Sequence, residues 1–517
     1  MTHARAMPAT NGNGLIDPRF LDQLEPTMVR ELLRHTAADQ PPPEERQIYV
    51  NRNLRMEKIR AVGFDLDWTL ADYDRDAMSR LAFERTLERL VERHGYPKSI
   101  LKAEFRADFS RRGLMIDKES GMVVKMNRHR YVGRAYLGRQ FLGPDERAAL
   151  YRREPINPSS ARFHFVDTLF ELPEVNIFSE LVEQSGRGNP KLELGSYTRL
   201  FQDIRTAIDT VHADGSLKAE ILADLERYLP RDPQLPLALE RMGLGQRRLL
   251  LVTNSEWFYT DALCSYLFNG VVPGLRSWRE LFDLVVVTAG KPGFFRRQAP
   301  FVELDDQGRE QQPVEVPRWG GLYAGGSREA LMKLLGGQGE EVLYVGDHIY
   351  GDVVSSKLSS TWRTALVVSE LEEELAVRRR LAPQLRHLDV LRAEIIGLGQ
   401  RLDDLNDLIE LARRAKSNGH RPAADAALAP VRELLADLRN EHRVMRLQSG
   451  RLQDRVSKAL NPFWGSLFKQ ADSKSLFGSQ VDDFACVYTS RASNFAYYGS
   501  HHYYRVLRDA MIHENEL

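Results

Sequence analysis

The chain has 517 residues, of which 43% are hydrophobic and 28% charged, with 72 basic and 72 acidic side chains and a formal charge of zero. The length exceeds one ordinary core and predicts two or three packing units, while the composition excludes a disordered chain. The neutral balance gives no sign of a nucleic-acid or membrane partner, so a small anionic substrate has to be held by a local site.

The opening stretch MTHARAMPATNGNGLIDP lacks the apolar core of a signal peptide, and nothing along the chain reaches the length of a membrane span. A cytoplasmic location is expected. The two cysteines, Cys264 and Cys486, are too few for the disulfide framework of a secreted protein and are expected to be reduced. Residues 1–44 read as an N-terminal helical or flexible segment that ends in the helix-breaking run PPPEER at 41–46.

A short apolar run, Ala61–Phe64, then leads straight into a polar loop, DLDWTL. The same order recurs in RRLLLVTNSE (Arg247–Glu256), FDLVVVTAGKP (Phe282–Pro292) and EEVLYVGDHIYGD (Glu340–Asp352). Continuous apolar strands separated by helical stretches predict an α/β fold with a doubly wound parallel sheet, whose ligands bind beyond the carboxyl ends of the strands. All four polar loops are then expected at one edge. This core takes residues 45–75 and 236–370.

Between the first two strands lies an insertion of roughly 170 residues, far too long for a loop and expected to fold as structure of its own. It occupies 76–235, opens with an amphipathic helix over Ala77–Arg93, and contains an alternating segment, RRGLMIDKESGMVVKMN, that predicts a hairpin. It is read as a cap domain. Residues 371–517 form a helical extension that returns to the core, with a heptad-like stripe at Leu381, Leu385, Leu388, Leu391, Ile395, Leu398, Leu402, Leu405 and Ile409. A Gly and Pro break near Gly419–Pro422 precedes a second helix over Val431–Leu460. Both a hairpin packed on its own body and a homo-oligomer contact fit this pattern.

The chemistry sits in the loops. Asp65 and Asp67, one residue apart after a buried strand, suit a nucleophile beside a proton-handling carboxylate, or two oxygen ligands of a hard cation. Alone, such a pair is most often a solvated turn. Thr253 and Asn254 offer a hydroxyl and amides for phosphoryl oxygens, or a helix cap. Lys291 after VVVTAG, taken alone, reads as a surface charge. Asp347 and Asp352, in GDHIYGD, add two carboxylates with glycines that allow close approach of the backbone.

The series DLDWTL, TNS, GKP and GDHIYGD resembles the haloacid dehalogenase (HAD) superfamily of phosphatases. The resemblance implies an aspartyl-phosphate on Asp65, with Asp67 as general acid and base, and phosphoryl binding by Thr253, Asn254 and Lys291. It also implies Mg2+ as cofactor, held by Asp65, the Asp67 backbone carbonyl and Asp347, with Asp352 orienting Lys291 or metal-bound water.

A closer resemblance covers Ile48 to Tyr498. VNRNLRMEKIRAVGFDLDWTLADYD, RRGLMIDKESG, DTLFELPE, MGLGQRRLLLVTNSEWFYTD and WGSLFKQADSKSLFGSQV are similar to the cytosolic purine 5′-nucleotidases that prefer inosine and guanosine monophosphates. It implies Phe170 stacking on the purine, with Arg205, His212 and Lys218 contacting base and ribose. Read on their own, Phe170 is a core residue and the other three a polar helix face.

Two departures stand out. Asp167 and Glu171 replace asparagines of the animal members, one near an effector pocket and one near the base. Asp167 would repel an anionic effector, and Glu171 would accept from the N1–H and amine of guanine. The terminal MIHENEL replaces a long acidic tail. Phosphotransfer to a nucleoside, a different small phosphate ester, and a non-catalytic coiled-coil scaffold stay as alternatives.

Overall fold

A computed structural model of the chain describes residues 41–151, 156–186, 195–271, 275–354, 361–417 and 423–506. Residues 1–40, the Gly419–Pro422 break and the terminal MIHENEL lie outside the described residues.

The organising element is a ten-stranded sheet. Its six central strands run parallel in the order Leu322–Gly325, Leu284–Val287, Arg248–Val252, Ala61–Phe64, Val342–Gly346 and Arg363–Val367. The four runs anticipated from the sequence are therefore direct neighbours. Ala61–Phe64, Leu284–Val287 and Val342–Gly346 are buried at every position, as parallel strands covered on both faces must be. Leu250, Val252, Val286, Tyr344, Trp362, Phe295 and Phe301 share one core.

The chain leaves Ala61–Phe64, fills one side of it with the next three central strands, then crosses to fill the other. Strand order reverses at Ala61–Phe64, and such a reversal opens a crevice at the carboxyl ends of the strands beside it. Asp65 is the next residue.

The sheet's edges were not foreseen. Val487–Thr489 adds in parallel to Arg363–Val367, and Tyr49–Val50 pairs antiparallel with it. On the other side, Phe301–Leu304 and Glu310–Val314 form an antiparallel hairpin. Strands of two or three residues carry no readable period, and the hairpin's outer strand, EQQPV, is mostly exposed and polar.

The inserted segment opens with a helix at Arg75–His94, where Asp74 accepts from the Ala77 N–H and Gly95 closes the end at φ 73°. The anticipated hairpin is Leu114–Asp117 against Met122–Met126, inside a five-stranded sheet with Val132–Leu137, Gln140–Phe141 and Phe163–Phe165. Both hairpin strands are buried throughout, the charged Asp117 and Lys125 included. Tertiary cover explains this: Asp117 takes donors from Ser120, Tyr151 and Arg162, and Lys125 donates to the Lys469 carbonyl at 2.8 Å. Helices Leu172–Gly186 and Tyr197–Ala213 follow.

Residues up to Glu372, together with those from Leu467 on, make one compact unit, and Glu373–Ser466 makes a second. In the second, helices Ala382–Ser417 and Ala423–Leu460 pack on each other through Leu388, Leu391 and Leu452, and through Leu402, Ile409, Leu428 and Leu435. The second helix starts earlier than the anticipated Val431, because the alanine-rich AADAALA run favours helix and carries it through Pro430. Among the described residues no helix is long and apolar enough to cross a membrane, and both cysteines are buried free thiols.

Candidate active site

Asp65 continues the central strand by one residue, its N–H donating to the Val345 carbonyl at 2.9 Å. Its Oδ1 accepts from the Leu66 N–H at 2.7 Å and its Oδ2 meets Lys291 Nζ at 2.7 Å. Lys291 Nζ also donates to Asp352 Oδ1 at 2.9 Å and to the Tyr344 hydroxyl at 3.0 Å. Burial works against the charge on Lys291, but Asp352 and Asp65 hold its pKa well above the usual lysine range. Lys291 is thus a fixed cation and not a surface charge.

Asn254 sets where Lys291 sits. Its side-chain oxygen accepts from the Lys291 N–H at 2.7 Å and its amide donates to the Lys291 carbonyl at 3.0 Å. Both ends of the side chain are used, so it braces the lysine loop. Thr253 is fully buried, with its hydroxyl accepting from the Ser255 N–H at 3.1 Å.

Past the fourth strand end, Asp347 and Asp352 come together with Asp65, so that one carboxylate oxygen from each lies within 4.8 Å of the others. Asp347 Oδ2 is buried with no hydrogen-bond partner among the described residues. Burial, reinforced by the charge of Asp352, pushes the Asp347 pKa up to about 7. Among the described residues Lys291 is the only side-chain cation that pairs with these three buried carboxylates, and a divalent cation with oxygen ligands would offset the remaining negative charge. Gly346 makes the cluster possible: a Cβ there would stand 2.5 Å from Asp352 Oδ2.

Asp67 points away from that cluster. Its Oδ1 accepts from the Tyr73 hydroxyl and its Oδ2 from the Ser255 hydroxyl, each at 2.6 Å. It lines a cavity of about 500 Å³ together with Phe170, Glu171, Arg205, His212, Lys218, Asn254, Ser255, Tyr259 and His348. The cavity brings the five residues assigned by resemblance to base and ribose beside three of the strand-end loops, those of Asp67, Asn254 and His348.

Within it, Phe170 meets Trp68 and His212 edge-on, at ring-centroid distances of 5.9 and 5.6 Å. Burial lowers the His212 pKa to about 4, so the imidazole is neutral at pH 7. Arg205 Nη1 bridges Glu171 Oε1 at 3.1 Å and Glu174 Oε2 at 2.9 Å. His164 Nε2 also lies 3.3 Å from Glu171, so this carboxylate already has two cationic or donor neighbours. Lys218 pairs with Glu256. Asp167 Oδ1 binds His348 Nε2 at 2.9 Å, beside Asp347, which ties the Asp167 side chain to the strand-end loop.

Sequence reasoning missed Tyr73, Ser255, Tyr344, and Arg112. The Arg112 guanidinium is buried, pairs with Glu370, and donates to the Asp347 carbonyl at 2.7 Å. Arg112 lies in the quoted RRG segment, yet no local pattern marks a contact made 235 residues away.

The chain is 29% identical over 486 residues to 5'-nucleotidase domain-containing protein 2 of Rattus norvegicus, covering 91% of this chain and 80% of that protein. It is 28% identical over 461 residues to the Homo sapiens protein of the same name, covering 86% and 81%. Among solved structures, the crystal structure of CbbY from Rhodobacter sphaeroides in complex with phosphate matches 60% of this chain and 86% of that one, at 14% identity and a TM-score of 0.22, too low to bear on the site. A family model described as 5' nucleotidase family matches residues 48–516, and the chain belongs to that family.

Proposed function

We propose that the protein hydrolyses purine nucleoside 5′-monophosphates, with a preference for 6-oxopurines, through an aspartyl-phosphate on Asp65. Membership of the 5' nucleotidase family supports hydrolysis of nucleoside monophosphates in general. The observation that carries the finer reading is the Asp65–Lys291–Asp352 chain, with Asp347 beside it and Asp67 on the wall of the adjoining cavity.

In this reading an Asp65 oxygen attacks phosphorus while the bond to O5′ breaks, and Asp67 gives its proton to the departing O5′. A water then attacks the phosphorus of the aspartyl-phosphate, Asp67 takes its proton, and the bond to Asp65 breaks. A phosphate dianion repels a carboxylate nucleophile, and Lys291, charged and 2.7 Å from Asp65, offsets part of that repulsion. Asp65, Asp347 and the Asp67 carbonyl would hold Mg2+, which when bound supplies the rest of the charge neutralisation. The unpartnered Asp347 Oδ2 and the excess of carboxylates fit such an ion.

The inserted segment acts as a cap that supplies the base site. Phe170 gives an apolar wall, Arg205 donates to a 6-oxo group, and Glu171 accepts from N1–H and, in guanine, the 2-amine. Adenine would set an amine against the Arg205 donor. Because Glu171 is tied to Arg205, the pair reads the base together.

The test is phosphate release from a panel of nucleotides and sugar phosphates with magnesium. IMP and GMP are expected to lead the panel, and Asp65→Asn to abolish release while keeping the native thermal unfolding curve. Full activity in Asp65→Asn would sink the mechanism, and a sugar phosphate at the head of the panel would sink the substrate assignment.

A further inference from the structure

We propose that Tyr73 and Ser255 are positioning residues that lock the Asp67 carboxylate in its working orientation, an inference that rests on Asp67 being the acid and base of the proposed reaction. An aspartate side chain turns about two bonds, so its oxygens aim at a substrate only if something fixes the carboxylate plane. Here each oxygen receives one hydroxyl hydrogen bond at 2.6 Å, from opposite partners. A lone pair on each oxygen stays free for the proton that Asp67 exchanges.

Tyr73 is 5% exposed and is not among the residues that line the cavity, so it acts on substrate only through its neighbours. Its hydroxyl lies 2.9 Å from that of Tyr259, which does line the cavity. A hydroxyl has one hydrogen to give. Since Tyr73 gives its hydrogen to Asp67, Tyr259 donates to Tyr73, and the three groups form a chain of fixed direction.

The local backbone delivers Tyr73 to this place. The Leu66 carbonyl accepts from the N–H groups of both Leu70 and Ala71, at 2.9 and 2.8 Å, and Trp68 takes a positive φ of 57°. The chain turns sharply after Asp67 and returns to it within six residues. Trp68 then packs edge-on against the Tyr73 ring, with centroids 5.2 Å apart.

Tyr73→Phe keeps the ring and removes only the hydroxyl. Since acid–base catalysis contributes about 10²- to 10⁴-fold in total, kcat for phosphate release is expected to fall about 10- to 100-fold in this variant. KM should stay within about threefold, because substrate contacts are untouched. Combined with Asp67→Asn, Tyr73→Phe should cost nothing further, since it works through the group already lost. Crystal structures of Tyr73→Phe and Ser255→Ala should each show a rotated Asp67 carboxylate. Losses that multiply in the double variant, or an unmoved carboxylate in both crystal structures, would overturn the proposal. If the wild type releases no phosphate from any ester, the proposed reaction fails, and the carboxylate orientations still decide this inference. Should Tyr73→Phe not fold, the Asp67 orientation in Ser255→Ala decides the proposal, since Ser255 lines the cavity and its kinetics also carry substrate contacts.

Discussion

Glu171 and Asp167 each act through a neighbour. Glu171 holds Arg205 and lies beside His164. In Glu171→Asn the guanidinium keeps Glu174, and the acceptor for N1–H and the 2-amine weakens. The ratio of kcat/KM for GMP over IMP is expected to fall about 10-fold, the scale of one hydrogen bond to a charged group. An unchanged ratio would mean that Glu171 does not read the base.

Asp167 makes a pH-dependent contribution. Although burial acts the other way, its hydrogen bond and charge raise the His348 pKa to about 9, above the ordinary value near 6.5. A raised folded-state pKa gives stability that is complete below the unfolded value and is lost as pH rises through the folded one. Wild type and Asp167→Asn should therefore differ most in unfolding free energy near pH 6, and the gap should close as pH rises through 9. Denaturant titrations across that range check it, and a pH-independent gap would contradict it.

At the scale of elements, each strand supplies a run of apolar residues that forces burial, and the loop after it inherits its location. Asp65, Thr253 and Asp347 were legible for this reason: each directly follows a strand whose burial pattern is unambiguous, Lys291 lies in the loop after a fourth such strand, and parallel strands align their carboxyl ends. Asp352, five residues farther on, reaches the cluster because Gly346 leaves room for it. Gly346→Ala should cost about 1–3 kcal/mol from crowding against Asp352. Phosphate release should fall more than stability does, because Asp352 must move and carry Lys291 with it. Thermal unfolding and kcat measured side by side separate the two effects.

The inserted segment was legible as structure, through its length and its first helix, but not in detail. Its hairpin strands are buried even at Asp117 and Lys125, because the cover comes from residues such as Arg162 and Lys469, far off in the chain. The edge strand Val487–Thr489 went unseen for a related reason. Three residues make a strand only when a neighbour offers a free edge.

For the whole molecule, the proposed cation links catalysis to stability. EDTA is expected to stop phosphate release and magnesium to restore it. Magnesium should also raise the unfolding temperature, since a ligand that binds only the folded state at 100 times its Kd adds about 2.7 kcal/mol. In Asp347→Asn that thermal shift should shrink. Activity that survives thorough chelation, or an unfolding temperature indifferent to magnesium, would remove the metal from the reaction.

By itself the sequence determined the parallel α/β core, the order of its four central loops, the large insertion and the paired helices. Each of these follows from local apolar patterns that dictate burial whatever else the chain does. Only the tertiary structure decided what each charged group is bound to. The turn after Asp67 brings Tyr73 back to it, Asn254 spends its amide on Lys291, Arg112 reaches Asp347 from the inserted segment, and Glu171 closes on Arg205. Hydrogen bonds form between groups that folding brings within about 3 Å, and the spacing of residues along a chain does not encode that distance.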